Sequence, residues 1–190
     1  MARGYHDWLV AETAGALRTY SAVFGAPASM GGGVSYLSSL ENPAASGVLL
    51  SIQRVFLYVT FITTGFNFED AYILMERVSG PTGGTPLTPA RHDTLDAASV
   101  AVFRRLPTAI TAVLDSLLYW KQWWFLNTVA AADKAALLYP PIELYSHFAD
   151  GRRQPWTLRP GEAMLITALP TDPAILGFGS LTEYTEEPLG

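Results

Sequence analysis

The chain has 190 residues, enough for one domain with a real core and too few for two full domains. Apolar residues make up 49% and charged residues only 15%, against about 25% charged in soluble domains, so apolar surface is left to be covered by contacts outside the chain's own core. A net charge of −5, two lysines (Lys121 and Lys134) and two short arginine pairs (Arg104-Arg105 and Arg152-Arg153) exclude a nucleic-acid backbone as the main partner, because phosphate binding needs clustered cations.

The first thirty residues hold Trp8-Leu9-Val10 and an alanine-rich stretch through Leu17, read as a short helix or an extended arm. No secretion signal is expected, since Asp7 and Glu12 sit where an apolar stretch would be needed. Ala26-Pro27 and Gly31-Gly32-Gly33 then break regular structure. Residues 1–33 are therefore expected to form an N-terminal arm and Gly-rich linker, with residues 34–190 as the domain body.

From Val34 the chain is punctuated as a β protein, with apolar runs bounded by Gly, Pro, Asn and Asp. Residues 34–40 and 48–61 predict two strands. In the second, Val48, Leu50 and Ile52 share one face, whereas Val55, Leu57 and Val59 continue the apolar face out of phase. A one-residue slip at Gln53-Arg54 predicts a β-bulge. The same segment, extended over 47–66, is too interrupted by Gln53 and Arg54 to predict a membrane span, and no membrane partner is expected.

Residues 66–78 predict the next strand, and the glycines and prolines of 79–93 (SGPTGGTPLTPARHD) predict a turn-rich loop without regular structure over most of its length. Residues 98–106 and 116–125 are further strand candidates, with a helix across 107–124 and a helical turn at 130–138 as alternatives. Trp156 to Leu158 predicts a short strand entering the turn Arg159-Pro160-Gly161-Glu162, type II because glycine accepts positive φ at its third position. Residues 163–169 and 175–186 complete the strands. Many short strands with regular turn signals predict an all-β sandwich or jelly roll with an N-terminal arm and room for one short helix.

Few residues nominate chemistry. His6, His92 and His147 lack metal-ligand spacing, so no metal site is expected. In Arg91-His92-Asp93, loop-stabilising hydrogen bonds are favoured over metal or acid-base work. With no cysteine and no Gly-x-Ser-x-Gly elbow, no catalytic residue is nominated, and disulfides are excluded. Gly31-Gly32-Gly33 lacks a following Lys-Ser/Thr, and Gly177-Phe178-Gly179 lacks a third glycine, so no nucleotide cofactor is expected. Carboxylates for glycoside hydrolysis would come from Glu69-Asp70, Asp93 with Asp96, or Glu183 with Glu186 and Glu187, the last set reading more simply as a solvated tail. The aromatic cluster around Tyr119, Trp120, Trp123 and Trp124 suits a sheet core and subunit interface, with a sugar-stacking platform as the alternative.

At Leu40-Glu41-Asn42-Pro43-Ala44-Ala45-Ser46-Gly47 the sequence resembles a group of bacteriophage virion proteins that carry a Leu-x-Asn-Pro-(Ala/Ser)-x-Ser-Gly turn before a strand of alternating apolar residues. The likeness continues in Gly83-Gly84-Thr85-Pro86-Leu87-Thr88-Pro89 and in Leu158-Arg159-Pro160-Gly161-Glu162. Its physical content is structural: Asn42-Pro43 sets a turn, Ser46 bonds local backbone, and Gly47 and Pro160-Gly161 permit tight reversals. The resemblance implies a β-sandwich subunit of the particle, either a head decoration or minor capsid protein or a tail component. Its implied partners are other copies of itself, with a trimer favoured, and other virion proteins. A host glycan is the alternative partner. Assembly would take place in the host cytoplasm, with the virion as final location.

Overall fold

The computed structural model describes residues 18–24, 34–62, 68–126, 141–147, 155–170 and 176–189. In chain order the strands are β1 (Arg18–Phe24), β2 (Ser35–Glu41), β3 (Val48–Ile62), β4 (Phe68–Ser79), β5 (Thr85–Leu87), β6 (Ala90–Arg91), β7 (Val102–Arg105), β8 (Ala112–Leu126), β9 (Ile142–Ser146), β10 (Trp156–Leu158), β11 (Ala163–Pro170) and β12 (Leu176–Pro188). No helix occurs among the described residues, and all-β architecture is what the sequence predicts.

The strands form two antiparallel sheets. In the first, β9 and β10 lie end to end along one edge of β3, and β12, β1 and β6 follow in order. The second has the order β5-β7-β2-β11-β4-β8. The chain changes sheet at every step from β1 to β4, stays in the second sheet through β5, crosses to the first for the two-residue β6, returns to the second for β7 and β8, and then alternates again through β9/β10, β11 and β12. The principal strands thus pair as β1-β12-β3-β9/β10 in one layer and β2-β11-β4-β8 in the other, the winding of an eight-stranded jelly roll. Antiparallel sheets that each bury one face need alternating side chains, and these strands supply them.

The core lies between the layers. Tyr20, Leu50, Ile52, Val55, Leu57, Phe178 and Tyr184 from the first sheet meet Leu37, Leu40, Ile73, Met75, Phe103, Met164 and Ile166 from the second. Each fully buried aliphatic side chain contributes about 1.5–3 kcal/mol. At one point the layers come close enough for two small residues to touch, and the hydroxyls of Ser38 and Ser180 hydrogen bond at 3.0 Å.

The phase slip in β3 is a bulge. Leu50 and Ile52 face Glu186 and Tyr184, whereas Val55 and Leu57 face Thr182 and Ser180, and the register shifts between them so that Gln53 is the extra residue. All four apolar side chains stay fully buried because of that extra residue. Gln53 itself is buried and donates its amide to the Thr185 hydroxyl at 3.3 Å.

Several segments differ from expectation. Arg18–Phe24, read as part of an N-terminal arm, is a strand paired along its whole length with β12. The 79–93 segment is irregular over most of its length, as expected, and only the short β5 and β6 form within it. Residues 112–126 form one strand paired with β4, which takes in the strand expected at 116–125 and extends it at its start, leaving no place for the alternative helix across 107–124. β9 has no counterpart in the sequence reading. The helical turn considered at 130–138 and the rest of the expected arm and linker lie outside the described residues.

Candidate functional site: a pinned end and an open sheet edge

Two turns 116 residues apart meet at one end of the sandwich. Asn42 is fully buried, and its side-chain Nδ2 donates to the carbonyls of Val48 (2.8 Å) and Leu158 (2.9 Å). Its backbone N–H donates to the Glu162 carbonyl at 2.9 Å, and its own carbonyl accepts from Gly161 N–H at 2.7 Å. The second turn closes by Glu162 N–H donating to the Arg159 carbonyl at 2.9 Å, with Gly161 at φ +89° as a type II turn requires. The first closes by Ser46 N–H donating to the Pro43 carbonyl at 3.0 Å, and Gly47 enters β3 at φ +67°. The C-terminal end of the described chain is pinned there too, Leu189 N–H donating to the Gly47 carbonyl at 2.9 Å. Asn42, Pro43, Ser46, Gly47, Pro160 and Gly161 therefore occupy one node.

The two open seams between the sheets are closed on the same principle. Along one, residues 92–101 cross from β6 to β7, and the nearly buried Glu186 accepts from the Ser99 hydroxyl (2.6 Å) and Val100 N–H (3.0 Å). Ser99 also hydrogen bonds the Tyr184 hydroxyl at 2.6 Å, and the Tyr20 hydroxyl donates to the Ala97 carbonyl at 3.0 Å. Burial pushes the Tyr184 and Tyr20 hydroxyls above their ordinary value of 10.0. Glu186 reinforces both shifts, since a nearby negative charge disfavours a phenolate. Along the other seam Arg77 reaches from β4 to the Asp115 carboxylate (2.9 Å), the Thr157 carbonyl (3.0 Å) and the face of Trp156 (5.9 Å). Glu162 adds a longer ion pair at 3.6 Å.

The sheet edges are unequal. On the first sheet, β6 is two residues long and follows Pro89, and the opposite edge is interrupted between β9 and β10. On the second, β5 is three residues long and contains Pro86. Short strands, interruptions and prolines are the usual protections of an edge against pairing with another chain. β8 has no proline and no interruption: it runs for 15 residues, AVLDSLLYWKQWWFL, with Lys121 and two register shifts against β4 as its edge features, and among the described residues only β4 pairs with it. Its start is bare, with Val113 52% and Leu114 48% exposed.

The aromatic residues singled out from sequence all lie on this strand. Tyr119 and Trp123 stand opposite Met75 and Ala71, while Trp120 and Trp124 stand opposite Leu74 and Asp70. Among the described residues no three His, Asp or Glu side chains group as a metal site. Arg91 donates to the carbonyls of Thr94 (3.5 Å) and Asp96 (2.6 Å), and the Asp93 carboxylate accepts from Leu95 N–H at 2.9 Å, a local loop-stabilising set. The expected solvated tail is a correction: Glu186 belongs to a paired strand and is only 3% exposed. Period-two alternation with Thr182 and Tyr184 was the available signal for its inward position. The pairing of Arg77 with Thr157 and Asp115 had no local signal, since its partners are 80 and 38 residues away. Comparison with family models, curated proteins and solved structures finds no match.

Proposed function

We propose that this chain is a non-catalytic structural protein of a bacteriophage particle, a head decoration or minor capsid subunit or a tail-associated one, packing against other virion proteins. The observation that carries an assembly role is the contrast among sheet edges: three are short, interrupted or proline-protected, and β8 offers 15 residues of mainly apolar strand. A lone soluble domain with such an edge would be prone to uncontrolled association, so a defined neighbour is the simplest occupant. The low charged fraction supports the same reading. The phage particle enters through the likeness of the Asn42-Pro43…Ser46-Gly47 turn and the Leu158–Glu162 segment, which meet in one node. Jelly rolls also build capsid subunits, lectins and cupins, so the fold supports the reading by analogy alone.

The test is to purify intact particles from the producing host on a density gradient, detect this chain by mass spectrometry, and locate it in the particle density. Stoichiometric recovery with the particle and a jelly roll of matching winding in the map is the expected result. A chain that stays in the soluble lysate while particles are complete without it would refute the proposal.

A further inference from the structure

We infer that the β8 edge is an interface between two copies of this chain, which add strand to strand, antiparallel, about a twofold axis at Leu118. The inference takes from the proposed function only that β8 is an interface; it holds or fails whether or not the assembly is a phage particle. It also assigns a twofold contact where the sequence resemblance favours a trimer.

The composition of β8 is what selects its mate. Its first six residues, Ala112 to Leu117, contain no aromatic side chain, while residues 119–125 contain Tyr119, Trp120, Trp123, Trp124 and Phe125. Parallel pairing of two copies in register would set tryptophan against tryptophan and leave the small half against itself. Antiparallel pairing about Leu118 sets small or aliphatic residues against aromatic ones along the strand: Leu117 against Tyr119, Ser116 against Trp120, Val113 against Trp123 and Ala112 against Trp124. Aromatic against β-branched, as Trp123 against Val113, is among the favourable cross-strand pairs.

The charges select the same register. Asp115 and Lys121 are the only charged residues of β8, of opposite sign and each three residues from Leu118. About that axis each Asp115 lies opposite the Lys121 of the other copy, so both charges are matched twice over. Slipping the register by one residue loses both matches, and parallel pairing in register opposes like charges. Asp115 keeps room for a second partner, since its side chain is 54% exposed while it receives Arg77. Relative to β4, β8 carries extra residues between Asp115 and Tyr119 and one more between Val113 and Asp115. The larger of the two bends lies at the axis, where the symmetry imposes the same bend on the mate.

Because the chain has no native cysteine, single replacements report the register directly. In an antiparallel pair the Cα atoms of directly opposed residues lie about 4.5–5.5 Å apart, which permits a disulfide. Under mild oxidation the purified Leu118→Cys protein should migrate as a disulfide-linked dimer, whereas Val113→Cys, opposed to Trp123, should stay a monomer on a non-reducing gel. Sedimentation of the unsubstituted chain should show a dimer, and Lys121→Glu, which opposes like charges at two places, should weaken it at least ~10-fold, about 1.4 kcal/mol. An unsubstituted chain that is monomeric at 100 µM (roughly a working upper limit for specific contacts) would overturn the inference, as when another segment of the same chain or a different protein covers β8. Equal cross-linking of both cysteine variants would overturn the register. A dimer in solution with no chain in purified particles defeats the phage reading alone; chain in particles without cross-linking at Leu118→Cys defeats this inference alone.

Discussion

Replacing Asn42 by alanine tests whether the node of two turns is what holds that end of the sandwich together. The substitution removes the amide that donates to the carbonyls of Leu158 and Val48 in a fully buried site, leaving Val48 the longer bond from the Ser46 hydroxyl at 3.5 Å. Each buried acceptor left unpaired costs about 1–3 kcal/mol. Against that, Asn42 Oδ1 accepts no hydrogen bond among the described residues, so its removal recovers part of the loss. The net is about 2–4 kcal/mol, which for a chain of this size lowers Tm by roughly 5–15 °C. Urea denaturation at neutral pH, with the m-value unchanged, gives the free energy directly.

Asn42→Asp sharpens the test, because an ionised carboxylate would face two carbonyl oxygens instead of donating to them. Burial would raise that carboxyl above its unfolded value of about 3.9. A raised acid favours the folded state only when protonated, so the extra penalty is absent below about pH 4 and grows as pH rises above it. Asn42→Asp should therefore be less stable than Asn42→Ala at pH 7, with the gap narrowing toward pH 4. A loss below about 0.5 kcal/mol for Asn42→Ala, which is the range of ordinary surface changes, would refute the reasoning.

Three further outcomes are expected. Gly179→Ala should cost at least ~2 kcal/mol, because a Cβ there meets the ring of Tyr58 and lies 2.7 Å from the Phe24 carbonyl, to which the Tyr58 hydroxyl donates at 2.7 Å; thermal melting checks it, and an unchanged Tm counts against this packing. Glu186→Ala should cost about 1–3 kcal/mol by unpairing Val100 N–H and removing the acceptor of the Ser99 hydroxyl, which keeps Tyr184 as a partner, and amide exchange should accelerate at Val100 before any change in the β3–β12 ladder. Tyr20, Tyr58 and Tyr184 all have hydroxyls raised above 10.0 by burial. An acid held protonated in the fold contributes stability below its unfolded value that is lost as pH rises past it, so the urea midpoint should fall from about pH 10 upward; a midpoint level to pH 11.5, with all phenols titrating freely by ultraviolet absorbance, would contradict it.

Alternation along single segments determined which stretches are strands and even where one strand changes phase. Gln53 could be read as a bulge residue because Leu50, Ile52, Val55 and Leu57 must all face inward, and a two-residue period cannot do that without an extra position. Positive-φ turns at Gly47 and Gly161 were equally legible, since glycine there answers a local steric demand. By contrast, β1 was hidden in an expected arm because its mate β12 lies more than 150 residues away, and β9 because it is only an edge segment of β3. The meeting of the Asn42 turn with the Pro160-Gly161 turn, the inward place of Glu186 and the span of Arg77 are likewise long-range facts. Local sequence determined the strands and their tight reversals, through side-chain periodicity and backbone sterics. Tertiary structure alone decided which buried polar groups find each other, and which sheet edge has no second neighbour among the described residues, because both depend on where distant strands come to lie.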